Sequence, residues 1–185
     1  MKVETLKIPD VKLLYPMKFG DERGFFSETY SKAAFADAGI EQSFIQDNHS
    51  LSRSVGVLRG LHYQCAPFAQ DKLVRVVRGR ILDVAVDIRS KSPTFGTWVS
   101  VEISADAWNQ IFVPKGFAHG FVTLEPDTEV TYKVSAPYAP EAERSVIWND
   151  VDLGINWPIA EKAVILSDKD AQAMSFTDYR KCPDF

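Results

Sequence analysis

A chain of 185 residues is long enough to bury one sizeable core. Its 45% hydrophobic and 25% charged residues exclude both a disordered chain and a membrane-embedded one. A formal net charge of -4 excludes a broad electrostatic attraction to nucleic acid, so any anion binding is local; Arg23, Arg59, Lys72 and Arg75, set among neutral and acidic neighbours, suit a small phosphate ester.

The N-terminal stretch MKVETLKIPDVKLLYP carries charges every few residues, unlike a signal peptide or a spanning segment, so the expected compartment is the cytoplasm. Residues 31–39, SKAAFADAG, predict a short helix with Ser31 as N-cap and Gly39 just beyond its end. Cys65 and Cys182 have no CxxC spacing and read as free thiols in a reducing environment. Along 81–89, Leu82, Val84, Val86 and Ile88 alternate with Asp83, Ala85, Asp87 and Arg89, which predicts a half-buried strand with one dry face. Val99, Val101 and Ile103 repeat the period, as do Val130, Tyr132 and Val134.

Turn signals at Arg78-Gly79-Arg80, Ser92-Pro93, Pro114-Lys115-Gly116 and Glu125-Pro126-Asp127 separate these runs closely enough for a meander or Greek key. Within 160–180, Ser167-Asp168-Lys169-Asp170 before AQAM reads as a helix start, so one or two short helices close the chain. There is no repeat, low-complexity stretch or linker, and the expectation is one domain over 1–185: an all-β sandwich or barrel with a few peripheral helices.

The three histidines are His49, His62 and His119. His62, in GVLRGLHYQ (56–64), has the side chain best suited to general-base work near neutral pH, and reads equally well as a hydrogen-bonded core histidine. His119 follows the turn Pro114-x-Gly116-x-x-His119 in FVPKGFAHGF (112–121). These two segments resemble the paired motifs of the cupin superfamily, except that Tyr63 and Gln64 follow His62 and the usual second ligand histidine is missing. Two histidines with no carboxylate at ligand spacing fall short of a catalytic metal site, so none is expected.

Taken together, DERGFFSETY (21–30), QDNHS (46–50), GVLRGLHYQ (56–64), QDKLVRVVRGRILDVAVDIR (70–89), FVPKGFAHGF (112–121) and VTYKVSAPYAPEAERSVIWND (130–150) resemble the dTDP-4-dehydrorhamnose 3,5-epimerase family, from about residue 20 to 170. The resemblance implies a cupin-like jelly-roll β-barrel, a dTDP-4-keto-6-deoxy sugar as substrate, no cofactor and no partner among nucleic acids or membranes. It also implies a homodimer whose sites are completed by a strand exchanged from the N-terminal region.

By the same likeness His62 is the base, Asp170 orients it, Tyr132 is the opposing proton donor and Lys72 stabilises the oxyanion. Each has a plainer reading: Asp170 as a helix-capping partner of Ser167, Tyr132 as core, Lys72 as a solvated strand-start lysine. Arg23, Glu28, Gln46, Asn48, Arg59, His119, Glu143 and Lys169 are assigned to sugar, diphosphate or base; Phe25 and Tyr138 offer stacking surface or core packing. Strict alternation puts Arg59 and His62 on opposite faces of one strand, so both reach one cavity only if Gly60 marks a bulge. A single-position epimerase or ketoisomerase on the same fold, and a non-catalytic sugar-nucleotide binder, remain as alternatives.

Overall fold

The computed structural model covers residues 1–185. In chain order its strands are β1 (Lys2–Thr5), β2 (Lys12–Tyr15), β3 (Phe19–Asp21), β4 (Gly24–Phe26), β5 (Gln46–Ser52), β6 (Leu58–Gln64), β7 (Lys72–Arg78), β8 (Arg80–Asp87), β9 (Trp98–Ser104), β10 (Gln110–Val113), β11 (Phe117–Thr123), β12 (Thr128–Val134) and β13 (Glu143–Ser145). Three short helices accompany them: α1 (Lys32–Asp37), α2 (Asp168–Ala171) and α3 (Phe176–Lys181). None is long and apolar enough to cross a membrane.

Two antiparallel sheets face each other as a cupin-like jelly roll. One has the order β1-β2-β10-β7-β12-β5 and the other β13-β6-β11-β8-β9, while β3 and β4 pair only with each other as a separate hairpin. The turns read from sequence close these strands: Gly79 and Gly116 take positive φ, 80° and 84°, where a side chain would be strained.

Between the sheets lies a core built from both inner faces, including Val74, Val76, Val130, Ile111, Ile81, Ala85, Phe117 and Phe121. A second cluster lies behind the other sheet, where Leu61, Val84, Val86 and Ile88 are covered by Val146, Leu153, Phe176 and Tyr179 of the C-terminal segment. A third lies outside the first sheet, with Leu14, Leu73 and Phe112 under Phe35 and Ile40 of the α1 region.

This layering corrects the reading of residues 81–89. The strand is buried on both faces: Asp83, Ala85 and Asp87 point into the barrel with no exposure, and the apolar face is covered by the C-terminal segment. Alternation was the right period, but it cannot show that a polar face is also enclosed. Asp87 is stabilised there by Arg89, Ser92 and Thr94, and although burial alone would raise its pKa, these hydrogen bonds lower it to about 2.

The predicted helix at 31–39 forms, with Ser31 in the N-cap position but without a capping side-chain bond, and Gly39 beyond it at φ 72°. Cys65 and Cys182 are both unpaired.

Candidate active site

The end of the barrel not filled by the apolar core is a cavity of about 520 Å³ between the two sheets. Its polar lining comes from seven elements: Ser50 on β5, Arg59 and His62 on β6, Lys72 at the start of β7, His119 on β11, Tyr132 on β12, Glu143 on β13, and Lys169 and Asp170 on α2. Tyr132 lies opposite Val74 in register, with Val130 opposite Val76, so the alternation that buries the two valines also sends the phenol inward.

Arg59 and His62 share the cavity because β6 is bulged at Gly60. His119 pairs with His62 and Phe121 with Arg59, so the step between the two β6 residues contains one residue more than the step on β11. Gly60 has a φ of 140°, and a Cβ built on it would lie 2.5 Å from the Cα of Gly120. Only glycine fits this backbone conformation and this close approach.

The imidazole Nε2 of His62 is bonded to Asp170 Oδ1. That contact fixes the tautomer and leaves Nδ1 without a protein partner, the arrangement a base needs. The Asp170 carboxylate is almost fully buried and also accepts from the Ser167 hydroxyl at 2.9 Å. Burial would raise its pKa, but the His62 and Ser167 bonds and the Lys169 charge win, so it stays below the usual carboxylate range. Ser167 in turn caps α2 by accepting from the Asp170 amide at 3.2 Å. Capping and orienting His62 are therefore one structure rather than alternatives.

Lys72 Nζ donates to the His62 carbonyl at 3.2 Å and has no carboxylate within ion-pair distance. Burial lowers its pKa to about 8, against the opposing pull of Asp83 and Glu143. The Tyr132 hydroxyl makes no hydrogen bond within the protein; burial raises its pKa, with the Arg59 charge opposing, so the phenol keeps its proton at neutral pH. Arg59 has only long contacts, 3.4 Å to Ser52 Oγ and 3.4 Å to the Leu51 carbonyl, and is free to meet an anion.

At the mouth, Glu143 is bonded to Lys169 and accepts from the Tyr138 hydroxyl at 2.8 Å. Burial pushes its carboxyl up, but those two partners outweigh it and the net direction is down. Gln46 donates to Asn48 at 2.9 Å and accepts from the Tyr138 amide at 3.1 Å. These residues line an adjoining hollow that shares His62, Lys72, Tyr132 and Glu143 with the main cavity.

Three expected residues are not in this chain's cavity. Arg23 is extended into solvent and bound to Asp21 of its own hairpin. Phe25 packs edge-on against Trp108 with ring centroids 4.8 Å apart, and Glu28 borders a separate small hollow beside Pro16 and Phe35. The reason is topological, because the β3–β4 hairpin joins neither sheet.

One partner of a cavity residue escaped sequence reasoning. Asp83, with no exposure, accepts from His119 Nε2 at 2.8 and 3.0 Å, making a second His–carboxylate pair in which His119 lines the cavity and Asp83 lies behind it. Its place on a polar-looking strand face concealed it, although a histidine re-entering a sheet needs a partner. No group of three or more His, Cys, Asp or Glu side chains converges in a way that could hold a metal ion.

The arrangement offers a base oriented by a buried carboxylate, a protonated phenol, and a partly buried ammonium, all on one cavity. Such a set moves protons next to a carbonyl. The family model for dTDP-4-dehydrorhamnose 3,5-epimerase matches residues 5–178. A dTDP-4-dehydrorhamnose 3,5-epimerase of Pseudomonas aeruginosa is 52% identical over 179 residues, spanning 96% of this chain and 97% of its own. The crystal structure of dTDP-4-dehydrorhamnose 3,5-epimerase from Bacillus anthracis with TDP and PPi bound matches with a TM-score of 0.91 at 49% identity, covering 94% of this chain and 98% of that one. The structure of dTDP-6-deoxy-D-glucose-3,5-epimerase from Legionella pneumophila in complex with dTDP-4-keto-L-rhamnose gives 0.91 at 45% identity, covering 95% and 93%.

Proposed function

The chain belongs to the dTDP-4-dehydrorhamnose 3,5-epimerase family, and we propose that His62 and Tyr132 exchange the protons by which it epimerises carbons 3 and 5 of a dTDP-4-dehydro-6-deoxy sugar. The single observation that carries this assignment is the His62–Asp170 pair in one cavity with Lys72 and Tyr132.

The ketone at carbon 4 acidifies the hydrogens on both neighbouring carbons. His62 Nδ1 takes one of these protons, the C–H electron pair moves into an enolate, and the charge gathers on the carbon 4 oxygen beside the Lys72 ammonium. Asp170 stabilises the imidazolium that forms. Tyr132 then gives its proton to the same carbon from the opposite side, the ketone re-forms, and the configuration is inverted. Proton exchange with solvent restores both groups, and the cycle repeats at the second carbon. The chemistry needs no redox partner.

At the other end of the substrate Arg59 and Lys169 serve the diphosphate, where a planar guanidinium pairs two oxygens at once. Gln46, Asn48, Tyr138 and Glu143 meet the nucleoside, and His119, fixed by Asp83, borders the sugar. Arg23, Phe25 and Glu28 act in the cavity of a second copy, delivered by the β3–β4 hairpin of a homodimer. The exposure of Phe19, Phe25 and Phe26 on that hairpin supports this. A monomer by light scattering would remove these three residues from the site. The unpaired Cys65 and Cys182 support a reducing compartment, the cytoplasm, a placement that cell fractionation finding the protein outside the cytoplasm would overturn.

The test is proton NMR of dTDP-4-keto-6-deoxy-glucose with EDTA-treated protein in heavy water. Deuterium at carbons 3 and 5 with inversion at both is expected. Inversion at one carbon alone would make this a single-position epimerase, and absence of exchange with folded protein would overturn the catalytic assignment.

A further inference from the structure

Gln64 ends β6 two residues beyond His62 and is only 4% exposed, too enclosed to meet a ligand broadly. Its amide nitrogen donates to the carbonyls of Phe68 at 2.7 Å and Pro137 at 3.1 Å, and its oxygen accepts from the Ala139 amide at 2.9 Å. Both donors and the acceptor are thus committed to backbone groups, two of which flank Tyr138. The neighbouring groups are held the same way: Gln70 donates to the Ala136 carbonyl at 2.9 Å, and the Tyr138 amide donates to Gln46 at 3.1 Å. Residues 136–139 lie outside every strand, so glutamine side chains take the place of a sheet ladder there.

Tyr138 itself is half exposed at the cavity mouth, with its hydroxyl on Glu143. With the ring more than half exposed and the bond to Glu143 its one side-chain anchor, its position follows chiefly from the backbone beneath it. We propose that Gln64 is a positioning residue for nucleotide binding: it fixes the segment 136–139 so that the Tyr138 ring stands ready at the mouth of the cavity. The proposal rests on the reading of Tyr138 as a nucleotide contact. Pre-ordering the segment spares the ligand the cost of ordering it.

The experiment is calorimetric titration of dTDP into the wild type, Gln64→Met, Tyr138→Ala and the double variant, with steady-state kinetics alongside. Gln64→Met keeps the shape and removes all three hydrogen bonds. It is expected to weaken dTDP roughly ten-fold, the factor that goes with ordering one such group on binding, and to raise KM while kcat at saturation stays within about two-fold. In the Tyr138→Ala background the same change should add nothing, because the effect passes through the ring. A loss of fold stability alone would act equally in both backgrounds.

Undiminished dTDP affinity in Gln64→Met, with Tyr138→Ala weakened, overturns the proposal. Full additivity in the double variant overturns it too. If Tyr138→Ala binds dTDP as the wild type does, the reading of Tyr138 fails first, and the proposal with it. Should Gln64→Met fail to fold, Gln70→Met releases only the Ala136 carbonyl and should show a smaller weakening, again absent in the Tyr138→Ala background; no weakening in that variant overturns the proposal.

Discussion

Lys72 makes the sharpest prediction, because activity and stability should move in opposite directions when it is replaced. Burial lowers its pKa from 10.5 to about 8, so below pH 8 the folded protein carries an ammonium it holds less readily than the unfolded chain does. The linked cost is about 3 kcal/mol at pH 7. The sign follows from the lowered value: the cost is full below pH 8, shrinks by about 1.4 kcal/mol per pH unit above it, and is gone near pH 10.5. Lys72→Met relieves that cost but leaves the His62 carbonyl without its donor, which returns about 1 kcal/mol. The variant should therefore be more stable than the wild type by about 2 kcal/mol at pH 7, a Tm higher by roughly 4–8 °C. Turnover should fall about 10²–10³-fold through loss of the oxyanion's partner, and wild-type kcat should decline above pH 8. Thermal melts of both proteins from pH 6 to 9.5 measure the difference directly. A Tm gap that is absent at pH 7, or that does not narrow between pH 8 and 9.5, would refute the burial argument.

Asp170→Asn should lower kcat by about 10³-fold or more while dTDP affinity holds, since the wrong His62 tautomer is then favoured; kinetics beside calorimetry checks it. Asp170 itself, with its pKa lowered, contributes stability above the ordinary carboxylate range that is lost as pH falls through its folded value. Tyr132→Phe should retain deuterium wash-in from the His62 side while inversion slows about 10²–10⁴-fold, read by NMR in heavy water; unchanged inversion would remove Tyr132 from the mechanism. Gly120→Ala places a methyl 2.7 Å from the Arg59 carbonyl and 2.9 Å from the Gly60 Cα. It should cost about 1–3 kcal/mol in denaturant melts and depress turnover through displacement of His62 and Arg59.

The strands were legible wherever a run alternates cleanly, and β8, β9 and β12 fall where the pattern places them. Less legible was which sides of a strand are enclosed. The polar side of β8 reads as solvated, yet it supplies Asp83 as the buried partner of His119, because the opposite sheet covers it and the C-terminal segment covers the other side. Periodicity describes a strand alone, whereas enclosure depends on elements about 90 residues away. The site was legible through resemblance and one local conflict: the parity of Arg59 and His62 was wrong for a flat strand, and Gly60 marked where it is reset. Arg23, Phe25 and Glu28 were legible as motif but not as placement, since a hairpin that joins neither sheet of its own chain gives no pattern of burial to read.

For the proposed site to take a diphosphate and an enolate in a chain of net charge -4, its cavity must distribute charge unevenly, and it does. Both acids of its lining are already engaged, Asp170 with His62 and Glu143 with Lys169 and Tyr138, and so is Asp83, which lies behind His119. Arg59 and Lys72 have no carboxylate within ion-pair distance, so the charge left unanswered is positive and faces the empty space. Leaving the partly buried Lys72 ammonium unpaired costs stability, and that cost is the source of the interaction a developing oxyanion would meet. The carboxylates serve a different end, holding two imidazoles in fixed orientation. Asp83→Ala would thus free His119 to turn and weaken the pull that keeps Lys72 protonated, so that kcat declines at lower pH than in the wild type, whereas Glu129→Gln, at a residue paired with His49 outside the cavity at 2.9 Å, should leave the pH profile of kcat unchanged.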